Sequence, residues 1–207
     1  DTPVFFWKPE QEYGWASQWC RSPFSARVTM PDGEEREVCF PTAEHWMMRQ
    51  KALLFGDKAV LERIARLPKT LPPKEVKALG RKVQEFDDAT WVRERERIVL
   101  EGTLLKFRQH PGLLQKLLET GERELVEASP RDRIWGIGYG KARAAEVGRE
   151  KWGTNLLGRA LMEARRILRR DSQSAAKPAL ASPSPQDGAA GGPKEEDAVT
   201  ESTARSD

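Results

Sequence analysis

"FPTAEHWMMRQKALLFGD", running from Phe40 to Asp57, decides how the chain is organised. Pro41-Thr42 opens a helix, with Thr42 placed as its N-cap. The helix carries one acid and one amine, Glu44 and Lys51, almost two full turns apart, so both leave the same face. Side chains lean toward the helix N-terminus, so Lys51 points back at Glu44 across ~10 Å of rise. Met48 lies between them and Phe55 continues the stripe, which is therefore half apolar. By spacing alone the pair also reads as a first-turn acid complementing the helix dipole and a surface lysine with a snorkelling stem.

Upstream of this helix, "VFFW" (Val4 to Trp7) is a short β-like run. "ARVTM" and "EREVCF" flank Pro31-Asp32-Gly33, a hairpin signal in which Gly33 supplies positive φ. Downstream, helical patterns are predicted over about 57–66, over about 73–83 after Pro72-Pro73, and from Asp87 to Gln109. "PGLLQKLLET" is a further helix that stops at Gly121. "ELVEA" is a short strand leading into "SPRDRIWGIGYG", whose glycines rule out regular helix. "NLLGRALMEARRILRR" closes the pattern as an amphipathic helix, with leucines inward and arginines outward. The expected fold is α+β: a predominantly helical single domain over residues 1–170 with a small β-sheet and hairpin.

The last stretch separates by composition. All sixteen aromatic residues lie between Phe5 and Trp152, and the segment 171–207 is almost free of branched apolar residues. Such a segment cannot bury enough apolar surface to offset ordering entropy, so it is expected to be a disordered, low-complexity acidic tail. It holds seven acids and three bases, which leaves a net charge of −4 on the tail and +7 on the domain. A mildly basic domain suits a phosphate-bearing partner without announcing a duplex-binding protein.

Cys20, Cys39, His45 and His110 are the only cysteines and histidines, and no pair has zinc-ligand spacing, so neither a metal site nor a cofactor is expected. Nothing approaches the ~18 apolar residues of a membrane span. The chain begins at Asp1 without an initiator methionine, so leading residues are expected to be missing. A reducing, cytoplasmic setting is expected.

Two tryptophans stand out. Trp91 opens the long helix and reads either as a core anchor or as a stacking wall for a ring. Trp135 stands on the glycine-rich loop, where a bulky aromatic lacks regular packing neighbours and where ligand contacts concentrate. The loop's glycines do not match a dinucleotide fingerprint, because no strand–turn–helix unit surrounds them. Arg81, Arg93, Lys106 and Arg159 are bases that could meet a phosphate, and each also reads as a solvated side chain.

Taken in order, "FFW", the T-x-E…Q-K helix, "LGRKV", the E-x-x-x-x-D-x-x-W-G-x-G loop and the final N-x-L-G-x-x-L-M-x-x-R helix resemble the NADAR family, the YbiA-like N-glycosidases, over Phe5 to Leu168. The resemblance implies hydrolysis of an N-glycosidic bond. The substrates implied are phosphoribosylamino-pyrimidine intermediates of riboflavin biosynthesis, or ADP-ribosylated guanine in nucleic acid. It assigns the functional acid to Glu44, the amine to Lys51 and aromatic walls to Trp91 and Trp135. Asp132 and Gly136 fall in its loop motif, and Trp7, Gln18 and Arg81 join the substrate-binding set. One departure concerns Ser17-Gln18-Trp19, where family members commonly carry Ser-Asn-aromatic; glutamine reaches one methylene further.

The chemistry suits these residue types. Cleaving a C1′–N bond requires help for the departing nitrogen and stabilisation of positive character at C1′, both within reach of a carboxylate. An amine offers a second route, attack on C1′ of a ring-opened sugar to give a Schiff base, provided dry surroundings lower its pKa from ~10.4. A non-catalytic module that holds ADP-ribose or a related nucleotide is the alternative from another class; an acid–amine pair is superfluous to it.

Overall fold

The computed structural model describes residues 2–176. The expected tail beyond Ala176 lies outside the described residues. The order is β1 (Val4–Phe6), β2 (Phe24–Thr29), β3 (Glu35–Phe40), α1 (Ala43–Leu54), α2 (Lys58–Ala65), α3 (Pro73–Gly80), α4 (Asp88–Gln109), α5 (Pro111–Glu119), β4 (Leu125–Glu127), α6 (Lys141–Glu146) and α7 (Leu156–Ala176). This is the expected α+β domain, mostly helical with little sheet. The closing helix extends six residues past Arg170, through Ala176, and carries an Arg108–Asp171 ion pair at 2.8 Å.

The strands form two separate pairs. β2 and β3 are the expected antiparallel hairpin, with Phe24 opposite Phe40 and Thr29 opposite Glu35. Gly33 has φ 88° at its turn, the left-handed conformation that glycine adopts without steric cost. β1 and β4 pair in parallel, Val4 with Leu125 and Phe6 with Glu127, across more than a hundred intervening residues. No local pattern signals that pairing.

α1 packs against α2, α3 and α4, while α7 covers α4 and β4. Trp46 anchors the centre of the core, its indole N–H donating to the Ile98 carbonyl at 2.9 Å. Thr42 does occupy the N-cap position of α1, but its hydroxyl makes no capping bond; it is engaged with His45 Nδ1 at 2.8 Å. The arginines of α7 are not all outward. Arg165 is buried and donates to the Thr120 hydroxyl at 2.7 Å and the Arg123 carbonyl at 2.9 Å.

Lys106 also departs from its sequence reading as a phosphate-meeting base. It is 2 % exposed, and its ammonium donates to the carbonyls of Trp15 at 2.7 Å and Ser17 at 3.2 Å. The lysine thereby fixes the turn that delivers Gln18 and Trp19. Asn155, just before α7, plays a similar part for β4. Its amide accepts from Glu127 N at 3.0 Å and donates to the Leu125 carbonyl at 2.9 Å, supplying the hydrogen bonds of a missing neighbouring strand.

Candidate active site

A cleft of about 570 Å³ opens where the end of β1, the Ser17–Trp19 turn, the first half of α1, the end of α3 and the loop after β4 converge. Its deepest acid is Glu44, 4 % exposed. The backbone N–H of Glu44 donates to the Gln18 carbonyl at 3.1 Å, and the Trp19 indole donates to Oε2 at 3.3 Å. Oε1 is buried with no protein partner. The same holds for Gln18 Oε1 and Glu127 Oε2, both on residues that line this cleft. Three buried oxygens without partners are costly unless a ligand brings complementary hydrogen-bonding groups.

Burial pushes the Glu44 carboxyl above its ordinary range, against the opposing charges of Lys77 and Arg81 and the Trp19 hydrogen bond. Burial likewise raises Glu127 to about 8, with the charges of Asp132 and Glu44 adding to the effect. Both shifts favour the protonated carboxyl, and at Glu127 the proton is held at neutral pH. Bases outnumber acids in the more exposed part of the lining, where Lys8, Lys77, Arg81 and Arg131 accompany Glu10. Cations beside buried oxygens suit a ligand with an anionic end and a hydroxyl- or amine-bearing body.

Of the residues expected from sequence, Glu44, Trp135, Asp132, Trp7, Gln18 and Arg81 line the cleft. Asp132 Oδ1 accepts from the backbone N–H of Ile134 at 2.9 Å and of Trp135 at 2.8 Å, so the acid shapes the turn that presents the indole. Gly136 does not line the cleft. A Cβ there would stand 2.7 Å from the Glu127 carbonyl, so its part is to let the loop close against β4.

Lys51 and Trp91 are placed differently. Lys51 Nζ lies 4.2 Å from the Phe86 ring centroid and 5.4 Å from that of Trp91, and neither Lys51 nor Trp91 lines the cleft. Helical spacing put Lys51 on the same face as Glu44; the end of α3 bearing Arg81 then comes to line the cleft instead. Burial, followed by the Arg81 charge, lowers the Lys51 pKa.

Glu127, Trp19, Lys77 and Arg131 were not singled out from sequence. Glu127 is the first letter of the E-x-x-x-x-D loop motif, and Trp19 completes the Ser17-Gln18-Trp19 triplet, so both were within reach. Lys77 and Arg131 were anonymous among 35 basic residues.

Comparison with known proteins gives a consistent picture. A family model described as the NADAR domain matches residues 5–169. N-glycosidase R617 of Acanthamoeba polyphaga mimivirus is 43% identical over 150 residues, which cover 72% of this chain and 84% of that protein. Riboflavin biosynthesis protein VVA0006 of Vibrio vulnificus is 27% identical over 168 residues, 81% of this chain but 39% of that longer protein. The NMR structure of the E. coli protein YbiA superposes with a TM-score of 0.63 at 29% identity, covering 84% of this chain and 88% of that one. No helix among the described residues is long and apolar enough to cross a membrane.

Proposed function

The chain belongs to the NADAR family, and from that premise we propose that it is an N-glycosidase whose cleft splits the C1′–N bond of a phosphoribosylated base, with Glu44 moving the proton. The supporting observation is the set of three unpartnered buried oxygens, Gln18 Oε1, Glu44 Oε1 and Glu127 Oε2, in a cleft also lined by four bases. Ribose hydroxyls and a base amine exchange hydrogen bonds with the floor, and Lys8, Lys77, Arg81 and Arg131 take the phosphate. Trp7 and Trp135 supply flat apolar wall for the base. A cleft of about 570 Å³ sits within the range of roughly 300–1,000 Å³ usual for small-ligand sites and holds one nucleotide.

In the simplest course, protonated Glu44 delivers its proton to the departing nitrogen as the C1′–N bond breaks. The resulting carboxylate then accepts a proton from the water that attacks C1′. A covalent course runs through Lys51. Its lowered pKa favours a neutral amine, which adds to C1′ of the ring-opened sugar, expels the base as its amine and leaves a Schiff base that water resolves. That course requires the lysine to turn from Phe86 and Trp91 past Arg81 into the cleft.

The substrate favoured is a phosphoribosylamino-pyrimidine of the riboflavin route, as the name of the Vibrio relative suggests; ADP-ribosylated guanine in nucleic acid is the second arm of the test. The chain is incubated with each, and released base is measured. Release that depends on Glu44 supports the reading. Binding of both without release leaves a nucleotide-holding module instead. Steep salt dependence on the nucleic-acid substrate alone moves the assignment to that arm.

A further inference from the structure

A second cavity, of about 460 Å³, shares no residue with the cleft. It lies between the β2–β3 hairpin, α1 and the end of α2, with Val38, Phe40, Ile64 and Leu67 among its walls. Two polar side chains of α1, one turn apart, also line it: Arg49 at 5 % exposure and His45 at 4 %. Nη2 of the Arg49 guanidinium donates to the Thr29 carbonyl, while Nη1 is buried without a partner. His45 Nε2 is likewise buried and unpartnered, its Nδ1 being engaged by the Thr42 hydroxyl.

A buried guanidinium normally faces a carboxylate, because an uncompensated charge in low dielectric is expensive. Among the described residues no acid lies at ion-pair distance from Arg49; Glu37 lines the cavity from an exposed position and forms no pair with it. Lys69, also exposed, adds positive charge to the lining. Burial and the nearby Arg21 hold the imidazole neutral, with a pKa of about 4, so Nε2 carries a proton whenever the Thr42 hydroxyl donates to Nδ1. Two side chains lining the cavity thus each keep a buried donor without a partner, one of them cationic, among apolar walls.

We propose that this cavity is a second ligand site, taking a small organic anion whose carboxylate or phosphate rests on Arg49 Nη1 and His45 Nε2 and whose apolar body lies along Val38, Phe40, Ile64 and Leu67. The site is separate from the glycosidase cleft and does not depend on what the cleft does.

The test uses the full chain with three probes at millimolar concentration: benzoate, phenyl phosphate and inorganic phosphate. Binding is followed by titration calorimetry and by the imidazole resonances of His45, one of two histidines in the chain. Benzoate or phenyl phosphate shifts the His45 signals, and whichever binds more tightly identifies the anion class. Inorganic phosphate, lacking the apolar body, binds at least tenfold more weakly. Arg49→Met weakens the organic probes at least tenfold. Should that variant fail to fold, Leu67→Trp fills the cavity without touching the guanidinium and removes the same signal. Arg81→Ala, which removes one of the bases assigned to phosphate in the cleft, retains it in full, which separates this site from any phosphate binding there. No His45 response to any probe, or an undiminished response in Leu67→Trp, overturns the proposal.

Discussion

Glu44 and Lys106 are both ionisable and both shut away from water, at 4 % and 2 % exposure, yet their surroundings differ. The ammonium of Lys106 is spent on the Trp15 and Ser17 carbonyls. Glu44 receives one long bond from Trp19 and keeps an oxygen with no partner. The two residues even serve the same segment, Lys106 gripping its carbonyls and Glu44 meeting its indole. Burial alone therefore does not mark a site. A buried charge whose hydrogen bonds are complete belongs to the scaffold, and one left incomplete is waiting for a ligand.

Glu44→Gln breaks the comparison on the functional side. Base release is expected to fall about 10³-fold, inside the range of about 10²–10⁴ for loss of a positioned acid–base group. The variant should unfold at no lower urea concentration than the native chain, since a neutral amide escapes the desolvation that burial imposes on the carboxylate. A marked loss of stability would place Glu44 in the scaffold beside Lys106.

Lys106→Met breaks it on the structural side. Two buried carbonyls lose their donor, so stability should drop by about 3 kcal/mol, read from urea denaturation. Undiminished stability would mean that the Ser17–Trp19 turn holds itself.

Titration sharpens the contrast because the two kinds of buried group have opposite signs. Glu127 has its pKa raised from 4.5 to about 8 by burial, so its contribution to stability is complete below pH 4.5 and is lost as pH climbs through about 8. Lys106 is lowered from 10.5 to about 8 by burial, so its contribution is present above pH 10.5 and is lost as pH falls through about 8. Glu127→Gln should flatten the lower limb of stability against pH, where one proton accounts for at most ~1.4 kcal/mol per pH unit. Denaturation midpoints taken across that window check it; an unchanged limb would show that Glu127 ionises freely in the folded chain.

Much of this architecture was legible because it is local. The Pro31-Asp32-Gly33 turn, the Pro72-Pro73 start and the leucine stripe of the last helix each carry their signal within a few residues. The parallel β1–β4 pair was not, since nothing in "VFFW" names "ELVEA" as its partner, and that pair is what sets Glu127 beside the cleft. The candidate site follows the same division. Glu44, Asp132 and Trp135 were found through ordered motifs. That Lys51 would sit against Phe86 depended on a chain reversal after α3 that helical spacing on α1 cannot express.

Arg81 offers the finest test, because its charge lowers the pKa of both Glu44 and Lys51. Arg81→Ala should raise both pKa values, because a positive charge that lowers each is removed. If Glu44 and Lys51 both act in turnover, the two limbs of the pH–rate profile move upward together and its width is preserved. The pH at which borohydride traps half of a Lys51 adduct should rise by the same amount, measured by peptide mass spectrometry. A profile whose Glu44 limb moves alone, with no adduct at any pH, removes Lys51 from the chemistry and leaves water attack assisted by the buried acid.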